Sequence, residues 1–129
     1  MLTQGIIQPS CSPWASTIVL VKKDSDVCFC MDYRKLNQAS KFDAYPMPRI
    51  DEVLESVGSA QFISTLDLTR EYWQIPMAKQ SQEKTVFTTP YGLFEFCVMP
   101  FGLHNAPATF QRMMDEILRD CREFSQVYS

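Results

Sequence analysis

Phe62-Ile63-Ser64-Thr65-Leu66-Asp67-Leu68, followed closely by Tyr72-Trp73-Gln74-Ile75, is the stretch from which the fold is read. Phe62, Ser64, Leu66 and Leu68 alternate with Ile63, Thr65 and Asp67, the two-residue period of a strand, so a strand is predicted over 62–68 with a carboxylate near its far end. Just upstream, Ile50, Val53, Leu54 and Val57 fall at i, i+3, i+4 and i+7. Asp51 and Glu52 occupy the first turn and Gly58 supplies a stop, so a short helix is predicted after the Tyr45-Pro46-Met47-Pro48 break.

Working downstream, Lys84 to Thr89 and Leu93 to Met99 are separated by Pro90-Tyr91-Gly92 and predict a hairpin. Asn105-Ala106-Pro107 opens a helix with proline tolerated in its first turn, and Phe110, Met113, Met114, Ile117, Leu118 and Cys121 give it an apolar stripe. Ser125-Gln126-Val127-Tyr128-Ser129 reads as the first residues of a further strand. Working upstream, Ser16 to Val21 and Val27 to Met31 predict strands joined by the turn residues Lys22-Lys23-Asp24-Ser25-Asp26, a hairpin with two lysines at its tip. Pro9 and Pro13 predict an extended arm without regular structure for residues 5–14.

The 129 residues, 46% hydrophobic and 12% aromatic, suit one modest globular unit and exclude a disordered or fibrous chain. No repeat, low-complexity tract or linker interrupts them. Nothing near Met1 resembles a secretory leader and no apolar run approaches a membrane span of roughly 20 residues, so an intracellular location, cytoplasmic or nuclear, with no membrane partner is expected. Five cysteines, odd in number and without C-x-x-C spacing, stand beside a single histidine, His104, which argues against a disulfide framework or a zinc site. The net charge of −3 runs against a nucleic-acid binder, but its distribution does not. Residues 1–49 carry six Lys/Arg against four Asp/Glu, whereas residues 50–129 carry six against eleven.

Several motifs stand in one order along the chain: Ser12-Pro13-Trp14-Ala15-Ser16, Val19-Leu20-Val21-Lys22-Lys23-Asp24, Asp32-Tyr33-Arg34-Lys35-Leu36-Asn37 and Tyr45-Pro46-Met47-Pro48-Arg49-Ile50. Leu66-Asp67-Leu68 with Tyr72-Trp73-Gln74-Ile75, Lys84-Thr85-Val86-Phe87, Val98-Met99-Pro100-Phe101-Gly102-Leu103 and Asn105 to Gln111 continue the series. Together they resemble the reverse transcriptase (RNA-directed DNA polymerase) domain of a Ty3/gypsy-type long-terminal-repeat retrotransposon polyprotein. The resemblance implies an α+β chain, the partial fingers and palm of a right-hand polymerase, with β-hairpins and helices packed on an antiparallel palm sheet. It assigns 1–42 and 75–104 to fingers and 43–74 and 105–129 to palm, without thumb or RNase H. It further implies an RNA/DNA primer-template, a dNTP and the remainder of the polyprotein as partners, and Mg²⁺ in the intact parent enzyme.

The same resemblance makes Asp67 the first metal-binding catalytic carboxylate; a hard divalent ion needs oxygen ligands, and a carboxylate supplies one with charge balance. Without the motif Asp67 is a solvated strand-end acid. Tyr72 matches the aromatic gate beneath the sugar of the incoming nucleotide, and a core aromatic ring is compatible with that role. Lys22 and Lys23 match fingertip lysines that bind phosphates, although a lysine pair in a turn is otherwise a solvated tip. Leu68 and Phe101 fall at nucleotide-binding positions, and Arg34 and Gly102 at template-binding ones.

Three departures lead to the expectation that the isolated chain does not polymerise. The chain stops at Tyr128-Ser129, where the family has a Tyr-x-Asp-Asp turn with two further metal-binding aspartates. Val27-Cys28 replaces a Trp-Arg pair whose arginine clamps phosphates. Glu71 replaces a small residue before the gate and adds negative charge there. A retained module that binds nucleic acid or protein without chemistry is the alternative, and a fragment of an active polyprotein is a third possibility. Marginal folding is also expected, with Val19, Leu66 and the helix from Pro107 shaped to pack on absent palm strands.

Overall fold

The computed structural model describes residues 1–23 and 26–128, with the side chains of residues 23 and 26–28 outside that description. Among the described residues there are five strands: β1 (Ile7–Pro9), β2 (Ile18–Lys23), β3 (Asp26–Met31), β4 (Phe87–Thr89) and β5 (Gly92–Phe96). The helices are α1 (Arg34–Ala39), α2 (Ile50–Val57), α3 (Lys79–Gln82) and α4 (Ala106–Ile117), with 3₁₀ turns at Glu71–Gln74, Glu83–Thr85 and Arg119–Cys121. The chain is therefore α+β as expected, with both sheets antiparallel: one ordered β1-β5-β4, the other β2-β3. Ser16 stitches the two together, its N–H donating to Val86 O at 2.8 Å and its carbonyl accepting from Thr88 N at 3.1 Å.

Both predicted hairpins form, with changed limits. Lys22 and Lys23 are strand residues opposite Val27 and Asp26, and not turn residues; the Asp24-Ser25 tip and the Cys28 side chain lie outside the described residues. The second hairpin is shorter than predicted because Lys84 and Thr85 enter a 3₁₀ turn. Its turn closes through Gly92 at φ +126°, a conformation that L side chains resist.

The arm expected to lack regular structure contains β1. Bonds from Cys97 N to Ile6 O (2.9 Å) and from Ser10 N to Leu93 O (3.0 Å) bracket the strand. By the alternation of an antiparallel ladder, Pro9 opposite Phe94 then falls on a pair that exchanges no hydrogen bond. The missing N–H of Pro9 faces away from β5, on an edge strand, where proline is tolerated.

The strand predicted over 62–68 is absent. Those residues form no regular element and pair with no strand, with Phe62 92% and Leu66 94% exposed. Alternation gives a strand its two faces but not its partner; without a neighbouring strand to complete the ladder, the backbone groups make no ladder bonds. Residues 125–128 likewise form no strand, and Ser129 lies outside the described residues. The helix expected from Ile50 is α2, and the Arg49 N–H donates to the Glu52 carboxylate at 3.3 Å. None of its residues is fully buried: Val53 and Val57 are half-buried, while Ile50 and Leu54 of the same stripe are exposed. Among the described residues no helix is long and apolar enough to cross a membrane.

The core has two parts. Tyr33, Thr85, Val86, Phe87 and Phe96 are buried in one, linked by hydrogen bonds through Thr85 and by the Phe87–Phe96 ring contact at 5.3 Å. Thr85 is its polar hub: its hydroxyl donates to Gln82 O (2.7 Å) and accepts from Phe96 N (2.9 Å), and its carbonyl accepts from the Tyr33 hydroxyl (2.9 Å). Burial pushes the Tyr33 pKa well above the usual tyrosine value. The second part gathers Met99, Ala106 and Phe110, with Tyr72, Ile75, Leu103, Met113 and Met114 packed against them. This is the predicted stripe of α4 at Phe110, Met113 and Met114; Ile117 is exposed, and Leu118 and Cys121 lie beyond the end of the helix.

Residues 41–48 run across α4 as a strap. Asn105, the residue before α4, accepts from Asp43 N (3.0 Å) and donates to Lys41 O (2.7 Å). The Arg112 guanidinium donates to both Asp43 oxygens at 2.9 and 2.7 Å and lies 4.8 Å from the Tyr45 ring centroid. The Tyr45 hydroxyl donates to Asp115 at 2.7 Å.

Candidate functional site

Two motifs far apart in sequence meet at Tyr72 and Phe101. Tyr72 stands on the 3₁₀ turn Glu71–Gln74, which enters through Arg70 in the left-handed region at φ 53°, rare for a non-glycine residue. The Arg70 guanidinium lies 5.0 Å from the Trp73 ring centroid, a cation–π contact that helps hold this conformation. The Tyr72 ring lies 4.9 Å from the Phe101 ring and 5.9 Å from the Phe110 ring of α4. Phe110 is buried, whereas Phe101 is 49% exposed, so the pair runs from core to surface. Burial, with the charge of neighbouring Glu71 adding to it, raises the Tyr72 pKa above the usual tyrosine value.

Gly102 follows at φ +95°. An added Cβ would sit 3.4 Å from Met31 O, an ordinary contact, so the backbone conformation rather than space calls for glycine. The Asn37 side chain crosses from α1 to this loop: Nδ2 donates to Gly102 O at 2.8 Å and Oδ1 accepts from His104 N at 3.0 Å. Asn37 was not singled out in the sequence for the site, because its partners lie more than sixty residues away and no local spacing announces them. The available signal is an asparagine inside a short helix, where its amide is unfavourable unless something outside the helix engages it. No sequence pattern marks Trp73 Nε1, which is buried without a hydrogen-bond partner among the described residues.

The other predicted site residues are not drawn into this contact. Lys22 is exposed on β2, and the side chain of Lys23 lies outside the described residues. Arg34 opens α1, and its side chain is 85% exposed while bonding Asp32 through Nε and Nη2 at 2.8 and 2.7 Å. Those bonds hold the Asp32 carboxyl at about 2. Asp67 and Leu68 lie on the unpaired segment, and Asp67 is exposed, with no hydrogen bond or ion pair to another described residue. Among the described residues no three His, Cys, Asp or Glu side chains gather to hold a metal ion. One solvated carboxylate is a single ligand, so these residues do not by themselves fit a Mg²⁺ pair.

A family profile described as "Reverse transcriptase (RNA-dependent DNA polymerase)" matches residues 22–129. The chain is 46% identical over 125 residues to the retrovirus-related Pol polyprotein from transposon 297 of Drosophila melanogaster, covering 92% of this chain and 12% of that protein. It is 45% identical over 127 residues to the Pol polyprotein from transposon gypsy of the same fly, again 12% of its length. An RNA-directed DNA polymerase homolog of Oenothera berteroana is 45% identical over 89 residues, covering 69% of this chain and 63% of that protein. Among solved structures, the prototype foamy virus protease-reverse transcriptase superposes with a TM-score of 0.84 at 26% identity, over 98% of this chain and 17% of that one. The foamy viral enzyme in complex with RNA/DNA hybrid gives 0.82 at 26% identity, with the same coverage. The chain thus spans about an eighth of the length of the transposon polyproteins it matches.

Proposed function

We propose, from the premise that this chain belongs to the reverse transcriptase (RNA-dependent DNA polymerase) family and is a retrotransposon Pol segment, that it forms the nucleotide-facing part of an RNA-directed DNA polymerase. Residues 1–42 and 75–104 act as fingers, and 43–74 and 105–129 as the beginning of the palm. The observation that carries this is the meeting of Tyr72 with Phe101 beside Gly102, which makes an aromatic wall anchored in the core and open to solvent.

In this reading the Tyr72 ring lies under the sugar of a dNTP and crowds out a ribose 2′-hydroxyl, with Phe101 backing the ring. Leu68 lines the same nucleotide. Lys22 and Lys23 meet phosphates as mobile ammonium groups, and Arg34 with Gly102 contacts the template strand. Asp67 supplies one carboxylate to a Mg²⁺ centre whose other ligands lie outside the described residues. When bound, the metal stabilises charge on attacking and leaving oxygens. Solvent exposure of Asp67 suits a ligand that waits for its partners.

The 129-residue polypeptide alone is then a primer-template and nucleotide surface without turnover. The test is extension of an oligo(dT) primer on poly(rA) with dTTP and Mg²⁺. No product above a no-protein control is expected from residues 1–129, and product that depends on Asp67 is expected from a Pol polypeptide that contains them. Extension by the isolated chain, or by the Asp67→Asn form of the longer one, overturns the assignment.

A further inference from the structure

We infer that Asn37 is the positioning residue that sets the gap between Phe101 and Tyr72, and through it the fit of the incoming nucleotide. The inference rests on the nucleotide-wall reading above and assigns a role to a residue outside that wall.

Three observations carry it. First, the Asn37 amide uses both its ends on one loop, donating to Gly102 O at 2.8 Å and accepting from His104 N at 3.0 Å, so it grips the peptide groups on either side of Leu103. Second, Leu103 packs into the core beside Met99 and Ala106, so the far side of the loop is fixed by burial while Phe101 lies beyond Gly102 on the near side. Third, the Phe101 ring meets Tyr72 at 4.9 Å and Trp73 at 6.4 Å but is not enclosed by them. It is half-exposed, and it borders a cavity of about 100 Å³ shared with Phe29, Met31, Trp73 and Phe96. A ring with a void beside it takes its position from the backbone that carries it. That backbone is a positive-φ turn whose only side-chain hydrogen bonds among the described residues come from Asn37.

No common residue replaces Asn37 in full. Aspartate keeps the acceptor for His104 N but sets an oxygen against Gly102 O, and alanine removes both bonds.

The test uses the 129-residue chain and follows ring contacts by NMR, with dTTP titrated in the presence of poly(rA)–oligo(dT). In Asn37→Ala the Tyr72–Phe101 contacts disappear while the Tyr72–Phe110 contacts persist, and dTTP binding weakens by about tenfold. Asn37→Asp lies between alanine and wild type. In a Phe101→Ala background Asn37→Ala adds no further loss of dTTP binding, since its effect runs through that ring. Persistent Tyr72–Phe101 contacts in Asn37→Ala, or an equal loss of dTTP binding with and without Phe101, overturns the inference. If Asn37→Ala unfolds, losing the Tyr72–Phe110 contacts too, Asn37→Asp decides by the same two readings. If the wild-type rings do not respond to dTTP at all, the nucleotide-wall reading fails, while the ring contacts still report whether Asn37 positions Phe101.

Discussion

The Tyr33 hydroxyl donates to the Thr85 carbonyl at 2.9 Å with both residues almost wholly buried, and this bond ties the start of α1 to the turn that leads into β4. The carbonyl has no water to fall back on. Tyr33→Phe keeps the ring packing and orphans that acceptor, so it should lower stability by about 1–3 kcal/mol. Urea unfolding of the two forms measures this, and a difference within about 0.3 kcal/mol would show that the bond contributes nothing net.

Acid should weaken the chain through Asp32 and Asp43. Arg34 holds the Asp32 carboxyl at about 2 against an ordinary 3.8, and the Arg112 guanidinium lowers Asp43 in the same direction. A folded-state pKa below the unfolded value means that the unfolded chain binds protons first. The stabilisation is therefore present above the unfolded value and fades as pH falls from 3.8 through the folded one. Thermal melts across that window should show Tm dropping less steeply in Asp32→Asn than in wild type. An identical slope in both would exclude the Arg34 pairing as a contributor.

Leu66→Ala should change the stability of the 129-residue chain by no more than about 0.5 kcal/mol, because the side chain is 94% exposed. In a Pol polypeptide that supplies strands beside 62–68, the same change should cost about 2–5 kcal/mol, the loss typical of a buried leucine. Equal effects in the two settings would mean that the segment never acquires a partner.

Asp67→Asn in such a Pol polypeptide should reduce primer extension by roughly a hundredfold or more, with an unchanged Tm in the isolated chain. The exposed carboxylate touches no described partner, so its removal disturbs chemistry without disturbing the fold. A comparable loss of Tm would instead mark Asp67 as structural.

Tyr72→Ala in the longer polypeptide should raise ribonucleotide use relative to deoxyribonucleotide use by about tenfold, the scale on which a pocket discriminates by shape. Competition between UTP and dTTP on poly(rA) reads this directly, and an unchanged ratio would remove Tyr72 from sugar selection.

Much of this was legible in the sequence because it is local. The α2 pattern, the proline-led start of α4 and both hairpins are set by spacing and turn residues within a dozen positions. The errors arise where pairing decides. Alternation over Phe62 to Leu68 describes a strand that has no neighbour in these residues, and the prolines of the arm concealed a strand that β5 stabilises from across the sheet. The site divides in the same way. Tyr72 and Phe101 could be named from their motifs, and the structure brings them together, but Asn37 emerges only when α1 and the Gly102 loop are seen side by side. Lys22, Arg34 and Asp67 are named by motif alone; their proposed ligands, and not one another, would draw them into a site.

Pro9 has a consequence for how copies of this chain meet. On a strand as short as β1 the outward-facing backbone positions are Ile7 and Pro9, and Pro9 has no N–H to offer. A second chain approaching that side of the three-stranded sheet finds a single donor where continued pairing needs a row of them. That border is thereby blunted against edge-to-edge aggregation, while β3, a six-residue strand whose one partner among the described residues is β2, keeps its outer ladder open. Strand-mediated self-association in concentrated samples should begin at the hairpin and leave the proline border bare.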